Sequence, residues 1–253
     1  MKAIILAAGR GRRMGGLTME QPKCLTNLAG KPLLEWQISA LRGAGIDEIG
    51  VVGGYKHEML KRQGIHMFIN PRWGEANMVV SLACASEWLE ANRCVVSYSD
   101  IVYPSATICA LLKTKADVAI TYDTLWLDLW SQRFADPLSD AETFQISSED
   151  YVTEIGNRAV GLDQIAGQYM GLTLFTPAGW QSAMRFLNGL SLAERDCLDM
   201  TSLLKNLIHG ETKVAAVPIS GSWYEVDSES DFRLYEAQIC AVGAAHWINR
   251  HDN

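Results

Sequence analysis

A short apolar run that breaks into glycines and arginines constrains this chain more than any other feature. Lys2 to Ala8 is long enough for one buried strand, and it stops at Gly9-Arg10-Gly11-Arg12-Arg13-Met14. Glycines at 9 and 11 let the backbone turn with positive φ and let a ligand approach the main chain closely. Arg10, Arg12, Arg13 and Lys23 crowd four cationic groups around the same turn. Backbone N–H groups with guanidinium and ammonium groups suit a polyanion such as a triphosphate. A bare Gly-x-Gly also fits a plain surface turn with solvated arginines. The loop is no Walker loop, because Gly-Lys-Ser/Thr is absent. It is no dinucleotide fingerprint, because Met14 stands where that pattern wants glycine.

The chain has 253 residues and 48% hydrophobic content, enough for one α/β domain with a proper core or a domain with a small appendage. A net charge of −7 argues against a general nucleic-acid binder. Six cysteines form no Cys-x-x-Cys pair and five histidines are scattered, which reads as reduced thiols, no zinc site and a cytoplasmic location. The N-terminus reads as a strand rather than a signal peptide, and no apolar run approaches the ~20 residues of a membrane span.

Strands are expected at 48–52, 66–70, 94–99, 117–122, 168–176, 213–218 and 223–226, with a hairpin over 144–146 and 152–156. Helices are expected after Pro32 to Gly43, and over 57–62, 78–89, 105–114, 177–188, 200–209 and 229–248. Residues 123–141 show no clear period. Strands alternating with helices imply a mostly parallel sheet, and such sheets bind ligands beyond the carboxyl ends of their strands. Gly9 and Asp100 both lie at such ends. The chain reads as one unit, 1–253, with a nucleotide-binding half to residue 122 and an acceptor-binding half with a closing helix after it.

The string Leu6-Ala7-Ala8-Gly9-x-Gly11-x-Arg13-Met14, followed by Pro22-Lys23 and Gly30-Lys31-Pro32, resembles the signature of the nucleotidyltransferases that activate sugar 1-phosphates and phosphocholine. The resemblance implies a Rossmann-like, mostly parallel mixed sheet flanked by helices, with a small β-rich insertion around the acceptor site. It implies nucleotide binding by Leu6, Ala7, Ala8, Gly9, Gly11 and Arg12, and catalytic roles for Lys23 and Arg13. It makes Asp100 and Asp227 Mg²⁺ ligands. Hard carboxylate oxygens hold Mg²⁺, which also binds phosphate oxygens and neutralises charge during in-line attack. Each of these aspartates alone fits a turn or a helix cap. Asn70-Pro-Arg-Trp-Gly-Glu-Ala-Asn-Met-Val-Val-Ser-Leu82 resembles the stretch near the nucleotide in choline-phosphate-type cytidylyltransferases. There Asn77 and Ser81, four apart on one helix face, are the nucleotide contacts. Met78 stands where that family often has a second asparagine.

The resemblance is weakest over 123–165, where the acceptor would be chosen. Trp126 and Trp130 with Asp140 and Glu142 suit a quaternary ammonium or amine. Arg133 and Arg158 suit a carboxylate or phosphonate. Gln168, Tyr169 and Trp223 add to the expected wall. The implied enzyme is a Mg²⁺-dependent cytidylyltransferase that joins CMP, from CTP, to a small phosphorylated amine, alcohol or phosphonate and releases pyrophosphate. Its partners are CTP and the acceptor, with no nucleic acid and no membrane, and a homodimer is left open. The rivals are a sugar-1-phosphate nucleotidyltransferase using UTP, dTTP or GTP, and a nucleotide-sensing subunit without catalysis.

Overall fold

The computed structural model describes residues 1–248. Seven strands form its main sheet: β1 (Lys2–Ala7), β2 (Ile49–Gly53), β3 (Ile65–Ile69), β4 (Cys94–Tyr98), β5 (Val118–Asp123), β6 (Gln168–Phe175) and β7 (Val214–Ile219). Their order is β7-β5-β6-β4-β1-β2-β3. β1 runs parallel to β2 and β4, β2 to β3, and β5 to β7. Only β6 is reversed, wedged antiparallel between β4 and β5. This is a Rossmann-like, mostly parallel mixed sheet.

The helices are α1 (Leu33–Gly43), α2 (Met78–Ala83), α3 (Ser86–Ala91), α4 (Ser105–Leu112), α5 (Trp126–Arg133), α6 (Pro177–Asn188), α7 (Leu192–Cys197), α8 (Met200–His209), α9 (Glu229–Val242) and α10 (Ala244–Ile248). They cover both faces of the sheet. Ala3, Ile5 and Ala7 of β1 pack in one core with Leu34, Ile38 and Leu41 of α1 and Tyr235 of α9. Ile4 and Leu6 pack in the other, with Val79 and Leu82 of α2, Trp180 of α6 and Leu203 of α8. Burial on both faces is why β1 reads as one apolar run and shows no alternation.

The structure differs from the sequence reading in particular places. Residues 123–141 contain α5, whose Trp126, Leu129 and Trp130 bury at helical spacing. Asp123 Oδ1 accepts from Leu125 N at the entry to this helix and from Gly221 N. The expected helix over 229–248 breaks at Gly243, where φ is 81°. The expected helix over 57–62 is a single 3₁₀ turn, His57–Leu60. The 78–89 helix splits into α2 and α3. Helix α7 went unread, although Ser191 and Glu194 form a capping box at its start. The hairpin is longer than expected, Glu142–Ile146 with Val152–Arg158, and its Phe144, Val152 and Ile155 join the α8 core. No helix among the described residues is long and apolar enough to cross a membrane.

Candidate active site

A cleft of about 300 Å³ opens beyond the carboxyl ends of β1 and β4. Its wall includes Leu6, Ala8, Gly9, Gly11, Arg12, Arg13, Lys23, Asn77, Ser81, Asp100 and Asp227. Ala7 lies behind it, 2% exposed in the core. Local constraints shape the loop. Gly11 has φ +71°, and a Cβ there would stand 2.7 Å from Lys23 Cβ. Glycine at 11 therefore lets the Lys23 stem lie against the turn. Met14, fully buried, anchors the loop to the core beneath it.

Asp100 and Asp227 meet through a connection that no sequence period reveals. Just after Asp100, Ile101–Val102 pairs antiparallel with Tyr224–Glu225, just before Asp227. Val226 N donates to Asp100 O at 2.8 Å. This two-rung ladder sets the carboxylates side by side, and Lys23 Nζ donates to Asp100 Oδ2 and Asp227 Oδ1, 2.7 Å each. Arg13 pairs with the other Asp227 oxygen. Burial works against the Lys23 ammonium, but the two carboxylates outweigh it and hold its pKa above the ordinary value. Asp227 is not the cap of α9: Ser228 and Asp231, which stand at capping-box spacing in the sequence, form that box.

This donor set fits a divalent cation bound jointly with phosphate. Asp100 Oδ1 is buried with no hydrogen-bond partner among the described residues, an acceptor left for a cation or a donor. No three His, Cys, Asp or Glu side chains among those residues form a ready-made metal cage. One or two carboxylates completed by substrate phosphates is the usual way Mg²⁺ is held.

Asn77 lines the cleft, yet its amide is engaged. Oδ1 caps α2 at Met78 N, and Nδ2 donates to Cys197 O. Ser81 accepts from Asn70 Nδ2. Asn77 is a helix cap and a cleft residue at once: one lone pair on its oxygen and the second N–H of its amide remain for a ligand. Trp73, Tyr98 and Ser99 also line the cleft and went unread. Trp73 sits so close to Gly54 that a Cβ there would lie 2.4 Å from Trp73 Cβ.

Most of the expected acceptor wall packs into the core or pairs with the chain's own groups. Trp126 and Trp130 are 5% and 4% exposed in the core, and Trp130 stacks on Trp223. Trp130 Nε1 donates to Asp140 Oδ2, so Asp140 serves that indole. Arg133 is buried between Glu225 and Asp231. The Gln168 side chain donates to Glu142 O and accepts weakly from Glu142 N, so its amide is spent on the Glu142 backbone. Tyr169 OH bonds Thr173 Oγ1. A tryptophan on a half-buried helix packs inward because its large apolar area is stabilised there. Glu142 and Arg158 remain exposed and stand opposite each other in the hairpin. Trp130→Ala is accordingly expected to cost about 3–5 kcal/mol of stability in urea unfolding, with KM for the acceptor unchanged. A selective rise in that KM without loss of stability would restore the aromatic cage.

Glu225 is the carboxylate that sequence reading missed. It keeps about 25% side-chain exposure, but deep placement pushes its carboxyl up to about 7, against the pull of Arg133 and with repulsion from Asp100 and Asp227. Its ordinary value is about 4.3, so the stability this group contributes is complete below that pH and is lost as pH rises through about 7. Glu225→Gln cannot ionise. In metal-free buffer its melting temperature relative to the parent should rise between about pH 5.5 and about pH 8.5. A difference that stays constant with pH would remove this assignment.

The sheet, the glycine loop and the Lys–Asp–Asp cluster at its carboxyl edge define a nucleotidyltransferase. Residues 3–147 match the MobA-like NTP transferase domain, more than half of the chain, and the chain belongs to that family. It is 38% identical to the CTP:phosphoglutamine cytidylyltransferase of Campylobacter jejuni, over 92% of this chain and 98% of that protein. It is 27% identical to the choline-phosphate cytidylyltransferase of Streptococcus pneumoniae, over 93% of this chain and 97% of that one. The inositol-1-phosphate CTP transferase from T. maritima shares the fold with a TM-score of 0.74 at 17% identity, covering 96% of this chain and 97% of that one. The protein is thus an enzyme class member, and a nucleotide-sensing subunit is set aside.

Proposed function

We propose that the protein transfers CMP from CTP to the phosphate oxygen of a small phosphorylated acceptor and releases pyrophosphate. The observation that carries this is the meeting of Lys23, Asp100 and Asp227 beneath the Gly9–Arg13 loop. Full-length similarity to enzymes named for CTP and for phosphoglutamine or choline phosphate supports it. In this reading the loop's N–H groups and Arg12 hold the triphosphate. An acceptor phosphate oxygen forms a bond to the α-phosphorus while the bond to pyrophosphate breaks. Lys23 stabilises the charge that develops on the α-phosphoryl oxygens, and Arg13 draws on the leaving group. Asp100 and Asp227 would hold Mg²⁺, which supplies charge neutralisation at those phosphates.

Pyrophosphate release should be measured with CTP, UTP, dTTP and GTP against phosphocholine, phosphoglutamine, a phosphonate and a sugar 1-phosphate. CTP is expected to exceed the other nucleotides at least tenfold, about 1.4 kcal/mol of discrimination. A tenfold preference for UTP, dTTP or GTP with a sugar 1-phosphate would move the enzyme to the sugar-activating branch.

A further inference from the structure

Helix α5 ends at Arg133, whose side chain is 2% exposed. Nε and Nη2 donate to the two oxygens of Asp231, at 2.9 and 3.2 Å, and Nη1 donates to Glu225 Oε2 at 2.9 Å. The guanidinium carbon lies 4.9 Å from the Trp130 ring centre and 5.1 Å from that of Phe134. Asp231 Oδ2 in turn accepts from Asp227 N at 3.2 Å and Ser228 N at 2.9 Å. One planar cation thus grips the chain two residues before Asp227 and four residues after it. The rings of Trp130 on α5 and of Phe134 just after it flank the cation itself.

A need for local packing does not explain this arrangement. A buried guanidinium carries a large desolvation cost, offset only when its donors are well paired. A bidentate bond to Asp231 would already hold α5 against α9. The added bond to Glu225 ties the short ladder that carries Asp100 to the helix start that carries Asp227. Lys cannot reproduce this, because a single ammonium lacks the rigid planar fork.

We propose that Arg133 is a positioning residue for nucleotidyl transfer, setting where the Asp227 carboxylate stands between Lys23 and Arg13. The inference rests on the reading that Asp227 works at the reacting phosphates. It does not need Arg133 to touch substrate.

The test uses Arg133→Lys and Arg133→Met in the full-length protein. Mn²⁺ binding to the protein saturated with a non-hydrolysable CTP analogue is followed by electron paramagnetic resonance of free Mn²⁺, with the analogue alone as blank. Pyrophosphate release gives kcat and KM, and circular dichroism with thermal melts reports folding. Both variants are expected to lose about 10- to 100-fold in Mn²⁺ affinity and in kcat, the usual cost of removing a group that orients a ligand. KM for CTP at saturating Mn²⁺ should change less than threefold, and Lys should recover only part of the loss. Folded variants with parental Mn²⁺ affinity and parental kcat would overturn the proposal. So would equal losses in stability and activity with Mn²⁺ binding untouched. If the Met variant fails to fold, the Lys variant decides alone, since it keeps the charge and loses the fork. Mn²⁺ binding needs no turnover, so a parent that binds Mn²⁺ with the analogue but releases no pyrophosphate with any nucleotide would count against the proposed reaction and leave this comparison readable, and a parent that binds no Mn²⁺ beyond the blank would overturn the proposal.

Discussion

Lys23→Met is expected to lower kcat by about 10²–10³, the loss seen when one donor to a developing anion is removed, with a much smaller change in KM for CTP. Methionine keeps the stem that packs against Gly11 and deletes only the charged end. The same variant should bind divalent cations more tightly than the parent. In the parent, the ammonium sits 2.7 Å from one oxygen of each aspartate, where it competes with any incoming cation. Without it, Asp100 and Asp227 lose their shared counter-ion and face each other partly buried, a state that costs roughly 3–5 kcal/mol. Metal-free Lys23→Met should therefore melt well below the parent, and added Mg²⁺ should recover much of the difference by mass action. Near-normal turnover would sink the catalytic role of Lys23. Weaker cation binding in the variant would show that the lysine helps to build the site instead of competing for it.

Asp227→Asn should lower kcat by about 10³ or more while the protein keeps its melting temperature in Mg²⁺-free buffer to within a few degrees. The amide keeps the shape of the side chain and removes the charge that holds Lys23 and Arg13 together. Helix α9 should be unaffected, because Ser228 and Asp231 supply its cap. Asp100→Asn should give a loss of similar size, since its Oδ1 already lacks a partner and an amide offers one fewer charged oxygen to a cation. Measuring kcat across a Mg²⁺ titration separates charge loss from unfolding. Divalent-dependent turnover within tenfold of the parent in Asp227→Asn would reduce that residue to a linker before the helix.

Sequence alone showed the half of the site that is built locally. Gly11 and Lys23 sit close in the chain, and the glycine exists because the lysine stem needs its space, so a short motif captures the contact. Strand ends at Asp100 and before α9 were readable from apolar runs. The ladder between Ile101–Val102 and Tyr224–Glu225 was not, because two-residue strands carry no period. Glu225 therefore stayed unnoticed beside a strand-end aspartate. The tryptophans of α5 misled for a related reason. Aromatic rings near Asp140 and Glu142 have the composition of a cation cage, while Trp223, Glu225 and Asp231, which decide that α5 faces inward, lie about ninety residues away. Arg133 was assigned to an acceptor from its charge, and its true partners are long-range.

On the ribosome, β1 to β5 emerge before the strand that joins β5 to the rest. β5 bonds only to β6 and β7, and β4 reaches β5 only through β6. Until Gln168–Phe175 has been made, β4 and β5 each expose a row of unpaired backbone groups, the kind of edge that templates pairing with another chain. The stretch 3–147 that matches the family ends before that strand begins. It carries the glycine loop, Lys23 and Asp100, but unpaired strand edges on β4 and on both sides of β5 with them. Asp227 arrives later still, after β7 has added beside β5. A growing chain therefore displays the glycine–arginine loop and one carboxylate long before the second carboxylate exists to complete the cluster.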